Sequence, residues 1–79
     1  MNPDTIRELI LQGLPGAQVV VTGDDGVHFE AEVVCEAFAG KSPIARHRMV
    51  YATLGARMGR EIHALAITRA QTPDEAARA

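Results

Sequence analysis

The sequence predicts an α+β protein, a two-layer sandwich in which helices cover one face of a three-stranded sheet in the order α-β-β-α-β-α. Three observations predict it. Apolar residues recur at helical spacing over 3–13 and 43–58, a strict alternation runs over 28–36 behind a Gly-Asp-Asp-Gly turn, and 79 residues leave room for one domain, 1–79.

The first helix, 3–13, has Asn2 as cap, Pro3 at the first helical position and Asp4 at the positive end of the dipole, with Ile6, Leu9 and Ile10 on one face. Gly13 is its stop, and Leu14-Pro15-Gly16 turns the chain. "AQVVVT" (17–22) is the first strand, and the Asp-Gly of the following turn marks a hairpin. In the second strand, "HFEAEVVCE" (28–36), Phe29, Ala31, Val33 and Cys35 share an apolar face, and His28, Glu30, Glu32 and Glu36 share a wet one. Cys35 reads as a small buried hydrophobe.

"FAGKSPIARHRMVY" (38–51) poses a choice, because Gly-Lys-Ser can end a phosphate-binding loop. Such a loop needs a glycine five residues before the second one, and Cys35 stands there, with Glu36 beside it to repel phosphate. The stretch reads instead as a loop and helix start: Phe38 anchors the chain, Gly40 permits a bend, Ser42 caps, and Pro43 opens the helix. Over 43–58 the spacing puts Ile44, His47, Tyr51, Leu54 and Met58 on one stripe, Arg46 and Arg57 on the far side and Arg48 on a flank, with Gly59 as stop. "EIHALAITR" (61–69) is the third strand, and Thr72-Pro73-Asp74-Glu75 is a capping box that starts a short last helix.

Composition excludes several classes. Of the 47% hydrophobic residues many are alanines, so the core is small and leaves little room for a large substrate pocket. One cysteine excludes an intrachain disulfide framework and fits a reducing compartment. The N-terminus "MNPDTIRELI" lacks the pattern of a signal peptide, and no apolar run approaches the ~18 residues of a membrane span, so a cytoplasmic protein without membrane contact is expected. The net charge of −2 argues against general nucleic-acid affinity. Yet Lys41, Arg46, Arg48, Arg57 and Arg60 lie in a stretch, 41–60, that holds no acid, and this asymmetry can mark either an anion-binding face or a solvated helix.

No catalytic arrangement stands out, so no enzyme is expected. His47, between two arginines on the packed stripe, reads as structural. His63 reads as a half-buried histidine or a ligand, and His28 as an exposed one. Structural zinc takes four protein ligands and catalytic zinc three, so two exposed histidines make at most half a metal site, which a partner would have to complete.

The runs "HFEAEVVCEAFAGKSPIARHRMVYATL" and "EIHALAITRAQTPDE" resemble the BolA family over nearly the whole chain. The specific parts are F-x-G-K-S, R-H-R-M-V-Y, I-H-A-L and the closing T-P. The G-D-D-G-V-H-F entry to the second strand is most similar to the IbaG-type branch. The resemblance implies a class II KH-like fold and a non-enzymatic role: pairing with a monothiol glutaredoxin to share a 2Fe-2S cluster, in iron–sulfur cluster assembly, trafficking or iron sensing. It implies that the glutaredoxin and a glutathione supply sulfurs, and that His63 and His28 are this chain's metal ligands. Cys35, at the far end of its strand and on the apolar face, does not match the loop ligand. Alone the chain is expected to be a monomer or weak homodimer. The resemblance also implies an alternative, a DNA-binding transcriptional regulator using Lys41, Arg46, Arg48, Arg57 and Arg60. KH domains hold RNA with a GxxG loop, and "FAGKSP" departs from that pattern.

Overall fold

In a computed structural model, which describes residues 1–78, the elements follow the expected order: α1 (Pro3–Gly13), β1 (Gln18–Thr22), β2 (His28–Val34), α2 (Pro43–Leu54), β3 (Ala64–Gln71) and α3 (Pro73–Arg78). The caps act as the sequence implies. The Asn2 side chain accepts from the Thr5 N–H at 2.9 Å, and Ser42 Oγ accepts from the Ala45 N–H at 3.1 Å. Gly-Lys-Ser therefore leads into a helix start.

The sheet order is β1-β2-β3. β1 and β2 form the expected antiparallel hairpin, while β3 lies parallel to β2, from His28 opposite Ala64 to Val34 opposite Gln71. Parallel neighbours require a crossover, and α2 supplies it. The alternation in β2 holds: Phe29, Ala31 and Val33 are buried and His28, Glu30 and Glu32 exposed. Ile6 and Ile10 of α1, Val50 and Leu54 of α2, Ile62, Leu65 and Phe38 complete the core on that face, with Cys35 buried beside them as a free thiol.

Three sequence-based boundaries shift. α2 ends at Leu54, not 58, because Gly55 takes φ 55°, a left-handed conformation that favours glycine, and a single 3-10 turn, Gly55–Arg57, follows. β3 starts at Ala64, not 61, because the Arg57 carbonyl accepts from the N–H groups of Arg60, Glu61 and Ile62 and winds that segment into a turn. β2 ends at Val34, and Glu36–Phe38 forms a 3-10 turn.

The stripe on α2 is also corrected. Ile44 is 65% exposed, and the buried positions are Val50 and Leu54, with His47 half-buried and Tyr51 and Met58 packed at the margin. Arg46 is not on the far side: its side chain is only 13% exposed. The inward side of α2 thus carries Arg46 and His47 beside Val50 and Leu54, so the helix is weakly amphipathic; of the expected stripe Leu54 is buried and Tyr51 and Met58 are packed, while Ile44 stands in solvent. Glu75 of α3 draws Arg46 in.

Candidate functional site

The parallel pairing of β2 and β3 decides where the histidines lie. Because both strands start at the same end of the sheet, the β1–β2 turn and the α2–β3 turn are neighbours. His28 opens β2 opposite Ala64, and His63 immediately precedes Ala64. Both are exposed, and both line one open cleft of about 950 Å³, whose floor includes Phe29, Tyr51 and Met58. The sheet face of His63, ambiguous in the sequence, is thereby settled as solvent at the cleft. It does not share the buried environment of Leu65: it is exposed, between the Met58–Ile62 bridge and the first residue of the strand.

The turn that carries His28 is organised by Asp25. Its Oδ1 accepts from the Val27 N–H at 2.9 Å and the His28 N–H at 2.8 Å, and its Oδ2 lies 2.7 Å from His28 Nδ1. These bonds, the backbone bond from His28 foremost, hold the Asp25 carboxyl well below the usual carboxylate range. The His28 side chain remains 75% exposed. Gly23 allows the turn to close: a Cβ there would stand 2.6 Å from the His28 carbonyl oxygen and 2.7 Å from the Phe29 ring.

The Tyr51 hydroxyl, also in the cleft, donates to the Leu65 carbonyl at 2.8 Å, which ties α2 to the start of β3, two residues after His63. Sequence reasoning placed Tyr51 on the packed stripe and Asp25 in the turn but missed both polar roles. The Asp25–His28 spacing of three, with an Asx-type turn between, was the available signal.

Cys35 lies beyond the opposite end of β2 and is buried, away from the cleft. His47 lies mid-helix and does not line the cleft. Among the described residues no three His, Cys, Asp or Glu side chains group as a metal site. The two cleft imidazoles fit the chemistry of half a ligand set, which donors from a second molecule would complete.

The five basic residues do not converge. Lys41 precedes α2 and Arg57 and Arg60 follow it, about 18 Å apart along a twelve-residue helix. Lys41, Arg48, Arg57 and Arg60 are exposed. Arg46 is engaged: Nη1 and Nη2 donate to Glu75 Oε1 and Oε2 at 2.6 and 3.1 Å, Nη1 also donates to the Ala70 carbonyl at 2.9 Å, and the guanidinium stands 5.9 Å from the Phe38 ring centre. Glu75 is the capping-box acid of α3, accepting from the Thr72 N–H at 2.8 Å. Arg46 with the Thr72 N–H holds its pKa down at about 2.

Known proteins share this fold. A bolA protein homologue from Coxiella burnetii superposes with a TM-score of 0.87 at 42% identity, covering 99% of both chains. A protein in the rpoN-murA intergenic region of Acinetobacter guillouiae is 37% identical over 95% of this chain and 89% of its own. The DNA-binding transcriptional regulator BolA of Vibrio cholerae is 55% identical over 40 residues, 51% of this chain and 38% of its own. The chain spans about half the length of several curated relatives it matches, such as BolA-like protein 1 of Homo sapiens, of which it covers 50% at 43% identity. The family model described as BolA-like protein matches residues 15–75, from the turn before β1 to the capping box of α3, and on that match the chain belongs to the BolA-like family.

Proposed function

We propose that this chain is a non-enzymatic partner of a monothiol glutaredoxin and shares a 2Fe-2S cluster with it for cluster assembly, trafficking or iron sensing. His28 and His63 supply two imidazole ligands, and the glutaredoxin and a glutathione supply the sulfurs. The single observation that supports this reading is the topology that brings two exposed histidines, distant in sequence, to one open cleft. When bound, a cluster with mixed thiolate and imidazole ligation supplies electron chemistry at a higher potential than an all-thiolate one. This chain's part is to present two neutral imidazoles, since a protonated ring cannot bind metal.

The test is anaerobic reconstitution with a monothiol glutaredoxin, glutathione, ferrous iron and sulfide, followed by visible circular dichroism. A spectrum distinct from that of the glutaredoxin alone is expected, lost in His63→Ala, weakened or shifted in His28→Ala and retained in His47→Ala. A cluster unchanged in both His63→Ala and His28→Ala overturns the ligand assignment.

A second reading, DNA binding, has the acid-free stretch 41–60 and the name of the Vibrio cholerae relative in its favour. With Arg46 engaged by Glu75, Lys41, Arg48, Arg57 and Arg60 of the stretch 41–60 have no acidic partner among the described residues, and four phosphate contacts give a log–log salt slope of about −3.6. Binding that does not weaken with salt removes this reading, and His63→Ala leaves it untouched.

A further inference from the structure

We propose that Asp25 is the positioning residue for His28: it holds the imidazole in the Nδ1–H form, so that the Nε2 lone pair is the one offered to a metal. This rests on the reading of His28 as a cluster ligand.

The geometry divides the carboxylate's work between its oxygens. Oδ1 takes both backbone N–H groups of the turn, Val27 and His28, and Oδ2 takes only the ring nitrogen Nδ1. An ionised carboxylate accepts and cannot donate, so the proton of this 2.7 Å bond sits on Nδ1. Free histidine in water favours the opposite tautomer, with the proton on Nε2, the nitrogen that here has no partner among the described residues. In that form the outward nitrogen has no lone pair to give. Asp25 therefore inverts the intrinsic preference and fixes the ring plane before any metal arrives, as carboxylates behind metal-bound histidines do. A turn residue that only shaped the backbone would need Oδ1 alone.

That division supplies a selective variant. In Asp25→Asn the backbone N–H groups still demand an acceptor, so the amide oxygen takes the Oδ1 place and the NH2 group faces Nδ1. The amide then donates, Nδ1 accepts, and the proton moves to Nε2. The turn survives and the tautomer changes.

The experiment uses the full chain labelled with nitrogen-15, with long-range proton–nitrogen spectra of the imidazoles recorded where they are neutral. Wild-type His28 is expected as mainly Nδ1–H, and Asp25→Asn as mainly Nε2–H with the Val27 and His28 amide signals in place. Asp24→Asn, which removes the same charge one position earlier, leaves the tautomer unchanged. In complex with a monothiol glutaredoxin, glutathione, iron and sulfide, Asp25→Asn loses its cluster to a chelator about 10–100-fold faster than wild type. Mainly Nε2–H in the wild type, an unchanged tautomer in Asp25→Asn, or equal effects of Asp24→Asn and Asp25→Asn on it overturns the inference. So does a wild-type rate of cluster loss in Asp25→Asn. A wild-type chain that forms no cluster overturns the glutaredoxin reading and the metal half of this one, while the tautomer still reports on what Asp25 does to His28.

Discussion

Arg46 and Glu75 form a two-pronged ion pair, 2.6 and 3.1 Å, that joins the start of the crossover helix to the first turn of the last one. The same guanidinium satisfies the Ala70 carbonyl on the outer side of β3. Arg46→Ala removes all these bonds and leaves a strand carbonyl short of a donor. A lower melting temperature is expected for Arg46→Ala than for Arg48→Ala, whose side chain is exposed on the same helix. Thermal unfolding of the two variants checks this; equal temperatures would show that the pair contributes nothing.

The pair also sets an acid response. Glu75 has a folded pKa of about 2 against an ordinary 4.5, so its contribution to stability is complete above about pH 4.5 and is lost as pH falls toward 2. Urea titrations across that range should show a difference between wild type and Glu75→Gln that shrinks as the pH drops. Constant spacing between the two curves contradicts the assignment.

The corrected packing of α2 predicts opposite outcomes for two aliphatic residues. Leu54 is fully buried, and Leu54→Ala should cost about 2–5 kcal/mol in urea unfolding. Ile44 stands in solvent, and Ile44→Ala should fall within about 0.5 kcal/mol of wild type. Comparable losses at both positions would restore the stripe that apolar spacing alone implies.

Gly23 is required by closeness to its neighbours. Gly23→Ala drives a methyl group into the His28 carbonyl and the Phe29 ring, and an overpacking cost of about 1–3 kcal/mol is expected. Amide shifts in that variant should move at His28 and Phe29 and stay put around Cys35, at the opposite end of the strand. Shifts spread evenly over the sheet would mean that the turn is not where the strain falls.

Cys35 supplies a chemical readout of the core. Its thiol is buried and reacts as the thiolate, so a disulfide reagent should modify it far more slowly in the native chain than in denaturant. Equal rates would place the thiol at the surface.

Sequence patterning carried most of the architecture. Asn2, Ser42 and Thr72 identify three helix starts through local hydrogen bonding, and the alternation from Phe29 to Val33 identifies the buried face of β2 without any tertiary information. The misses have two kinds of cause: local geometry at Gly55 and at the Arg57 carbonyl moved the ends of α2 and β3, and a distant partner moved Arg46. Arg46 lies inward because Glu75, 29 residues later, meets it there, and no local pattern anticipates such a partner. The same holds for the site. His28 and His63 were picked out by resemblance to a family, but their shared cleft follows from β3 running parallel to β2, a pairing that spacing along the chain does not reveal. Asp25 was visible as a turn former and not as the neighbour of a ring nitrogen.

The parallel pairing also bears on the order in which the chain acquires its working end. The β1–β2 hairpin closes across a handful of residues, whereas apposing His28 with Ala64 closes a loop of about 36 residues, at a greater entropic cost and a slower rate. A nascent or partly unfolded chain can therefore own its first histidine, already held by the hairpin turn, while its second is still far away. The two-imidazole cleft exists only in the finished molecule, and only a folded chain can offer both rings at once.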